Sequence, residues 1–216
     1  RVQAVGANPS LWSATYSLNT PQPPSVPGLA APKNNALLTN HRPSLVWKPS
    51  TVPTGAATLS GYELQVDDTA DFTSPLVSET GLSHTMYSFA TDLADNTKYI
   101  WRVRACNTNN DCSSWGVFTF RTSLLPPVAE SPLVDEGLSD PTPLFNWGDV
   151  NGAVSYTLAV STSSSFSGTL ISTTVTTSQY QALRTLPAGK PIYWRVRANG
   201  PNGPSLWSDL RRFQVE

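Results

Sequence analysis

Apolar and polar residues alternate with period two along several short stretches of the chain. Tyr62, Leu64 and Val66 form one such series, and Tyr156, Leu158 and Val160 form another. Tyr99, Trp101, Val103 and Ala105 alternate with Ile100, Arg102 and Arg104. Ile192, Trp194, Val196 and Ala198 alternate in the same way with Tyr193, Arg195 and Arg197. Successive side chains of a strand point to opposite faces, so these series predict half-buried strands. No stretch sustains an apolar period of 3.6, the mark of an amphipathic helix. Asp95-Asn96, Pro187-Ala188-Gly189 and Asn199-Gly200-Pro201-Asn202-Gly203 interrupt the series as turns. Roughly seven short strands in each ~95 residues predict an all-β, antiparallel seven-stranded sandwich.

The series are also repeated. The segment beginning WRVRA starts at Trp101 and again at Trp194, 93 residues later. Upstream, Leu45-Val46-Trp47 matches Phe145-Asn146-Trp147, and Gly61–Phe72 matches Ser155–Phe166. Leu93 precedes Tyr99 by six residues, as Leu186 precedes Ile192. A fixed period of this kind signals tandem structural units. Arg1–Thr20 matches the stretch from Arg195 through Ser208 and onward, so the chain is expected to open inside the second-last strand of a further unit. The expected organisation is a C-terminal F–G hairpin over 1–20, a domain over 21–123 and a domain over 124–216. Trp12, Trp115 and Trp207 then share one repeat position, Trp47 and Trp147 a second, and Trp101 and Trp194 a third. The core is expected to hold Trp47, Tyr62, Tyr99, Trp101, Trp147, Tyr156 and Trp194. The Pro-rich joins Pro21–Pro32 and Ser123–Pro132 predict short, stiff linkers.

The strand-B Trp, the Tyr-x-Leu-x-Val of strand C and the Leu six residues before an aromatic-rich strand F resemble the fibronectin type III family. The likeness covers about 28–216, with a partial copy at 1–20. The WRVRA wording with its later Trp-Ser is most similar to bacterial extracellular members. The resemblance implies tandem immunoglobulin-like sandwiches and a tyrosine corner, in which the strand-F Tyr hydroxyl bonds backbone near the preceding turn. Tyr99 fits that role. Ile192 departs from it, so no corner is assigned to the second unit.

Composition narrows the function classes. The chain has 216 residues, 13% of them charged, and a formal net charge of −1. Nothing in that balance attracts nucleic acid or an acidic membrane. The 19 Pro and 13 Gly disfavour long helices. No run of 18 apolar residues is present, so no segment of this sequence reads as membrane-spanning. The opening RVQAVGANPS lacks the apolar core of a secretion signal.

Few residues invite chemistry. Cys106 and Cys112 are the two cysteines, placed to end strand F and to begin the return toward strand G. Their spacing suits a disulfide across a hairpin loop, worth about 2–3 kcal/mol on the chain-entropy estimate. Two free thiols are the alternative. A metal site lacks a second Cys pair or a His cluster. Arg102 and Arg104 share one face of strand F, with Trp115 opening the neighbouring strand, and Arg195, Arg197 and Trp207 repeat the arrangement. A structural cation–π stack is expected there. It resembles the Trp–Arg ladder of cytokine-receptor fibronectin domains. The alternative makes each Trp a sugar-stacking platform. Asp67, Asp68 and Asp71 are expected to form a solvated turn rather than a calcium site, and Asp135, Glu136 and Asp140 are read likewise. His41 and His84 have no nucleophile motif beside them, and no P-loop, GxSxG or HExxH is present. No RGD is found, and Asn8-Pro9-Ser10 is blocked as a glycosylation sequon by its Pro.

The expectation is a non-catalytic structural or adhesive repeat module of a larger extracellular or cell-surface protein, without a cofactor. Its candidate partners are neighbouring repeats of the same polypeptide, other surface proteins, copies of itself in fibres, or glycans. An accessory or carbohydrate-binding module of a secreted polysaccharide-degrading or proteolytic enzyme is the alternative. The 1–20 hairpin is read as the end of an array or as a strand donor to a neighbouring subunit.

Overall fold

The computed structural model describes residues 1–17 and 20–216. Leu18 and Asn19, within the expected 1–20 hairpin, lie outside the described residues. Among the described residues there is no α-helix. The first set of strands is β1 (Leu29–Ala31), β2 (Ala36–Leu38), β3 (Ser44–Trp47), β4 (Leu59–Asp67), β5 (Val77–Leu82), β6 (Met86–Ser88), β7 (Lys98–Asn107) and β8 (Gly116–Thr122). They form a three-stranded sheet, β1-β3-β6, facing a five-stranded sheet, β2-β8-β7-β4-β5.

The second set is β9 (Ala129–Ser131), β10 (Glu136–Leu138), β11 (Leu144–Trp147), β12 (Ser155–Ser161), β13 (Ile171–Val175), β14 (Gln179–Gln181), β15 (Pro191–Gly200), β16 (Gly203–Pro204) and β17 (Arg211–Val215). Again a three-stranded sheet, β14-β11-β9, faces a larger one, β10-β17-β15-β12-β13, with β16 pairing β15. Each sandwich has more strands than the expected seven because its first strand is broken in two, and β16 adds one more to the second. Pro32 and Pro132 follow β1 and β9 directly, and a proline cannot donate to a sheet ladder. The chain then crosses to the other sheet, where β2 runs parallel to β8 and β10 parallel to β17.

The alternation in the sequence sets which side chains fill each sandwich. Tyr99, Trp101, Val103 and Ala105 of β7 are buried with Tyr62, Leu64 and Val66 of β4 and with Leu45 and Trp47 of β3. Ile192, Trp194, Val196 and Ala198 of β15 are buried with Tyr156, Leu158 and Val160 of β12 and with Phe145 and Trp147 of β11. Trp47 meets Tyr62 edge-on at 5.6 Å between ring centroids, and Trp147 meets Tyr156 at 5.6 Å. Such edge contacts favour the ring quadrupoles as well as burying area. The phenol of each pair accepts a backbone N–H, from Ser50 to Tyr62 and from Val150 to Tyr156.

Residues 1–16 contain no strand, but two backbone bonds close them into a hairpin: Ser10 N–H to Ala4 O and Ser13 N–H to Val2 O. Trp12 remains 58% exposed there.

Candidate functional site

Strand β7 presents its polar edge to the outer face of the larger sheet. In the pairing with β4, Arg102 stands opposite Gln65 and Arg104 opposite Glu63. The Trp115 ring lies just ahead of β8, with the Arg102 guanidinium carbon 4.5 Å and that of Arg104 4.6 Å from its centroid. Phe72, in the loop after β4, covers Arg102 at 3.8 Å. The stack therefore reads Phe72, Arg102, Trp115, Arg104. The second sandwich repeats it: Phe166 lies 4.0 Å from Arg195, and Trp207 lies 4.3 Å from Arg195 and 4.6 Å from Arg197. Each guanidinium–ring contact contributes about 0.5–1 kcal/mol at a partly exposed position.

Burial among the rings lowers the pKa of Arg102 and of Arg195, and the neighbouring guanidinium lowers each further. Both stay charged over the ordinary pH range. Phe72 and Phe166 have φ of 52° and 54°, a left-handed conformation that costs a bulky residue of order 1–3 kcal/mol. Both copies keep it, and in both it delivers the ring onto an arginine.

The polar surroundings of the two stacks differ. Arg102 donates to the Gln65 side-chain oxygen from Nε at 2.9 Å, and Arg104 donates to a Glu63 carboxylate oxygen from Nε at 2.7 Å. Opposite Arg195 and Arg197 stand Ala159 and Thr157. The buried Nε atoms of Arg195 and Arg197 have no hydrogen-bond partner among the described residues.

Trp115 and Trp207 do not open strand G, which corrects the expectation from sequence. Trp115 precedes β8, and Trp207 lies in an irregular stretch, 205–210, before β17. There the serines replace a backbone ladder. Ala198 N–H donates to Ser205 Oγ and Ser205 N–H to Ala198 O; Val196 N–H donates to Ser208 Oγ and Ser208 N–H to Val196 O. Ser113 makes the same reciprocal pair with Ala105. Ser10 with Ala4 and Ser13 with Val2 make it in the 1–16 hairpin. The reading of the sequence missed this clasp, although Ser-x-Trp-Ser stands at both 10–13 and 205–208.

Cys106 and Cys112 form a disulfide, at the mouth of the β7–β8 loop. The one group of side chains whose metal-binding atoms converge, among the described residues, is Glu63 with these two sulfurs. Sulfurs bound to each other carry no thiolate to offer a metal. Tyr99 accepts the Ala94 N–H at 3.0 Å through its hydroxyl, and burial raises its pKa.

The acidic turns are knitted into the backbone. Asp67 is 4% exposed, not solvated as expected, because its carboxylate caps the turn after β4, accepting from Asp68 N–H and Thr69 Oγ1. Ser161 fills the matching place, with Ser163 N–H donating to its Oγ. Exposed Asp71 and Asp140 accept from Thr73 and Thr142, and those backbone N–H bonds hold both carboxyls below the ordinary range. Glu136 accepts from Leu133 N–H, Asp135 pairs with Arg212, and His84 shares a hydrogen bond with the Ser83 hydroxyl. His41 sits between the Asp95 carboxylate, 3.0 Å from Nδ1, and the Ser123 carbonyl, 3.1 Å from Nε2.

Residues 30–126 match the family model described as the Rha78A-like, N-terminal immunoglobulin domain. The match runs from within β1 to just past β8. No curated protein matches the chain. Among solved structures, the chain is similar to the FN1–FN3 domains of chicken CNTN1, with 18% identity over 89% of this chain and 67% of that one, at a TM-score of 0.34. A likeness at that score transfers neither domain arrangement nor function. The family match covers the first sandwich, and the repeated sheet order gives the second the same immunoglobulin-like plan. Such a fold is compatible with a non-catalytic module, and disulfide-stapled domains of this kind are typical of extracellular proteins.

Proposed function

We propose that this chain is a structural and adhesive repeat module of a larger extracellular or cell-surface protein. The observation that carries the reading is the recurrence of the ring–guanidinium stack and the serine clasp. Phe72, Arg102, Trp115 and Arg104 in one sandwich, and Phe166, Arg195, Trp207 and Arg197 in the other, pack against one another. A device that returns with every copy of the fold supports the fold, whereas a ligand site needs to be built once. The partners of such a module are neighbouring repeats and other surface proteins.

A second reading has one observation in its favour. The matched model describes an N-terminal domain, hence one carried beside other domains. That suits an accessory module of a secreted enzyme, with the indoles as sugar platforms. Trp115→Ala and Trp207→Ala separate the two. A structural stack predicts lower unfolding stability for the altered sandwich and no change in retention on insoluble cellulose, chitin or xylan. Retention by the native chain that disappears in the variants, with stability unchanged, establishes the sugar platform instead.

A further inference from the structure

We propose that the two sandwiches are joined at a fixed angle by an asparagine key, with Asn96 of the first seated in the β15–β16 turn of the second. Asn96 is at the turn before β7, with φ of 48°, and is 5% exposed although its own sandwich leaves it at an end. What buries it is the second sandwich. Its Nδ2 donates to Gly203 O at 2.9 Å, its Oδ1 accepts from Asn202 N–H at 2.8 Å, and its carbonyl accepts from Asn202 Nδ2 at 2.8 Å. Both ends of the amide are matched, so the side chain reads one backbone geometry rather than a general polar surface.

The receiving turn is shaped for it. A Cβ at Gly200 would lie 2.5 Å from Asn96 Oδ1, so only glycine leaves room for the key. Gly203, at φ of 122°, lets Arg121 approach the backbone, and Arg121 donates to Pro204 O at 2.8 Å. The strand leading out of the first sandwich has no slack either. Leu124 is buried in the core of the second sandwich, and His41 holds the Ser123 carbonyl just before it. Side-by-side domains move by default unless their interface is specified. Here a seated amide, a seated arginine and an anchored linker specify it together.

The corresponding position in the second sandwich is Gly189, at φ of 70° with open space around it. The backbone conformation is common to both turns, but the key is present in one. This inference concerns the joint alone and stands whether the module is a spacer or an enzyme accessory.

Asn96→Gly is the decisive variant, because glycine adopts the left-handed conformation freely and already occupies the matching turn. Residual dipolar couplings of the isotope-labelled full chain in an aligned medium read the joint. In the native chain, amides of 28–123 and of 124–216 are expected to fit one alignment tensor. In Asn96→Gly, and in Gly200→Ala approached from the other side, two tensors of unequal magnitude are expected, with chemical shifts in both cores unchanged. A native chain that already needs two such tensors, or variants that still fit one, overturns the key.

Discussion

In the first sandwich the stacked arginines reach across to Gln65 and Glu63, while in the second the same positions hold Ala159 and Thr157 and leave two buried Nε atoms without a partner among the described residues. The rings nonetheless stack at nearly the same distances in both. The geometry of the stack is thus set by its aromatic members and by the strand register, and the carboxylate is an addition. The serine clasp differs in the opposite sense. The second sandwich has two clasps, through Ser205 and Ser208, and the first has one, through Ser113. Gly116 stands where the second would fall. A Cβ there would lie 2.9 Å from Pro27 O, so the incoming linker occupies the space a serine needs. One copy is fastened at the arginines, one hydroxyl, a staple and a linker, the other at two hydroxyls.

Four experiments probe that contrast. The largest effect is expected for Ser205→Ala combined with Ser208→Ala. Each orphans a buried strand N–H at about 1–3 kcal/mol, so the pair should lower the second sandwich by roughly 3 kcal/mol, and Ser113→Ala the first by about half as much. Residue-resolved hydrogen exchange reports each sandwich separately, and equal losses would erase the contrast. Next, Cys106→Ser with Cys112→Ser should destabilise the first sandwich by about 2–3 kcal/mol in denaturant titrations and leave the second unchanged.

The third test uses alkali. Tyr99 and Tyr87 titrate above the ordinary phenol range, chiefly through burial. The stability tied to their neutral hydroxyls is fully present below about pH 10 and is lost as pH climbs through their higher folded values. The first sandwich should therefore lose stability as pH rises above about 10, and Tyr99→Phe should flatten that slope. An alkaline slope that Tyr99→Phe leaves unchanged would contradict this. The smallest effect is a gain. Thr157→Glu with Ala159→Gln gives Arg197 and Arg195 the partners their counterparts have, worth about 0.5–1 kcal/mol for half-exposed pairs, read as a small rise in Tm.

The larger elements were legible in the sequence because β4, β7, β12 and β15 are long enough for alternation to show, with seven to ten residues each. β2 and β10 were not, since three residues cannot display a period and a parallel edge leaves no turn signature. Phe72 and Phe166 were visible as matched landmarks, yet their role depends on a left-handed backbone that nothing about phenylalanine announces. The serines of the clasp gave no signal of their own, because each bonds a strand seven to twelve residues earlier in chain order. Asp67 looked like surface charge, because a carboxylate that caps its own turn can be buried without a cationic partner. Asn96 read simply as a turn residue, since its partners lie in the other sandwich.

The difference between Asn96 and Gly189 bears on interchangeability. Copies built on one plan invite the assumption that they can be shuffled, duplicated or deleted without changing the shape of the whole. A seated side chain at one turn and bare glycine at its counterpart mean that these two units carry an order: exchange their places, and the overall outline of the molecule is no longer conserved.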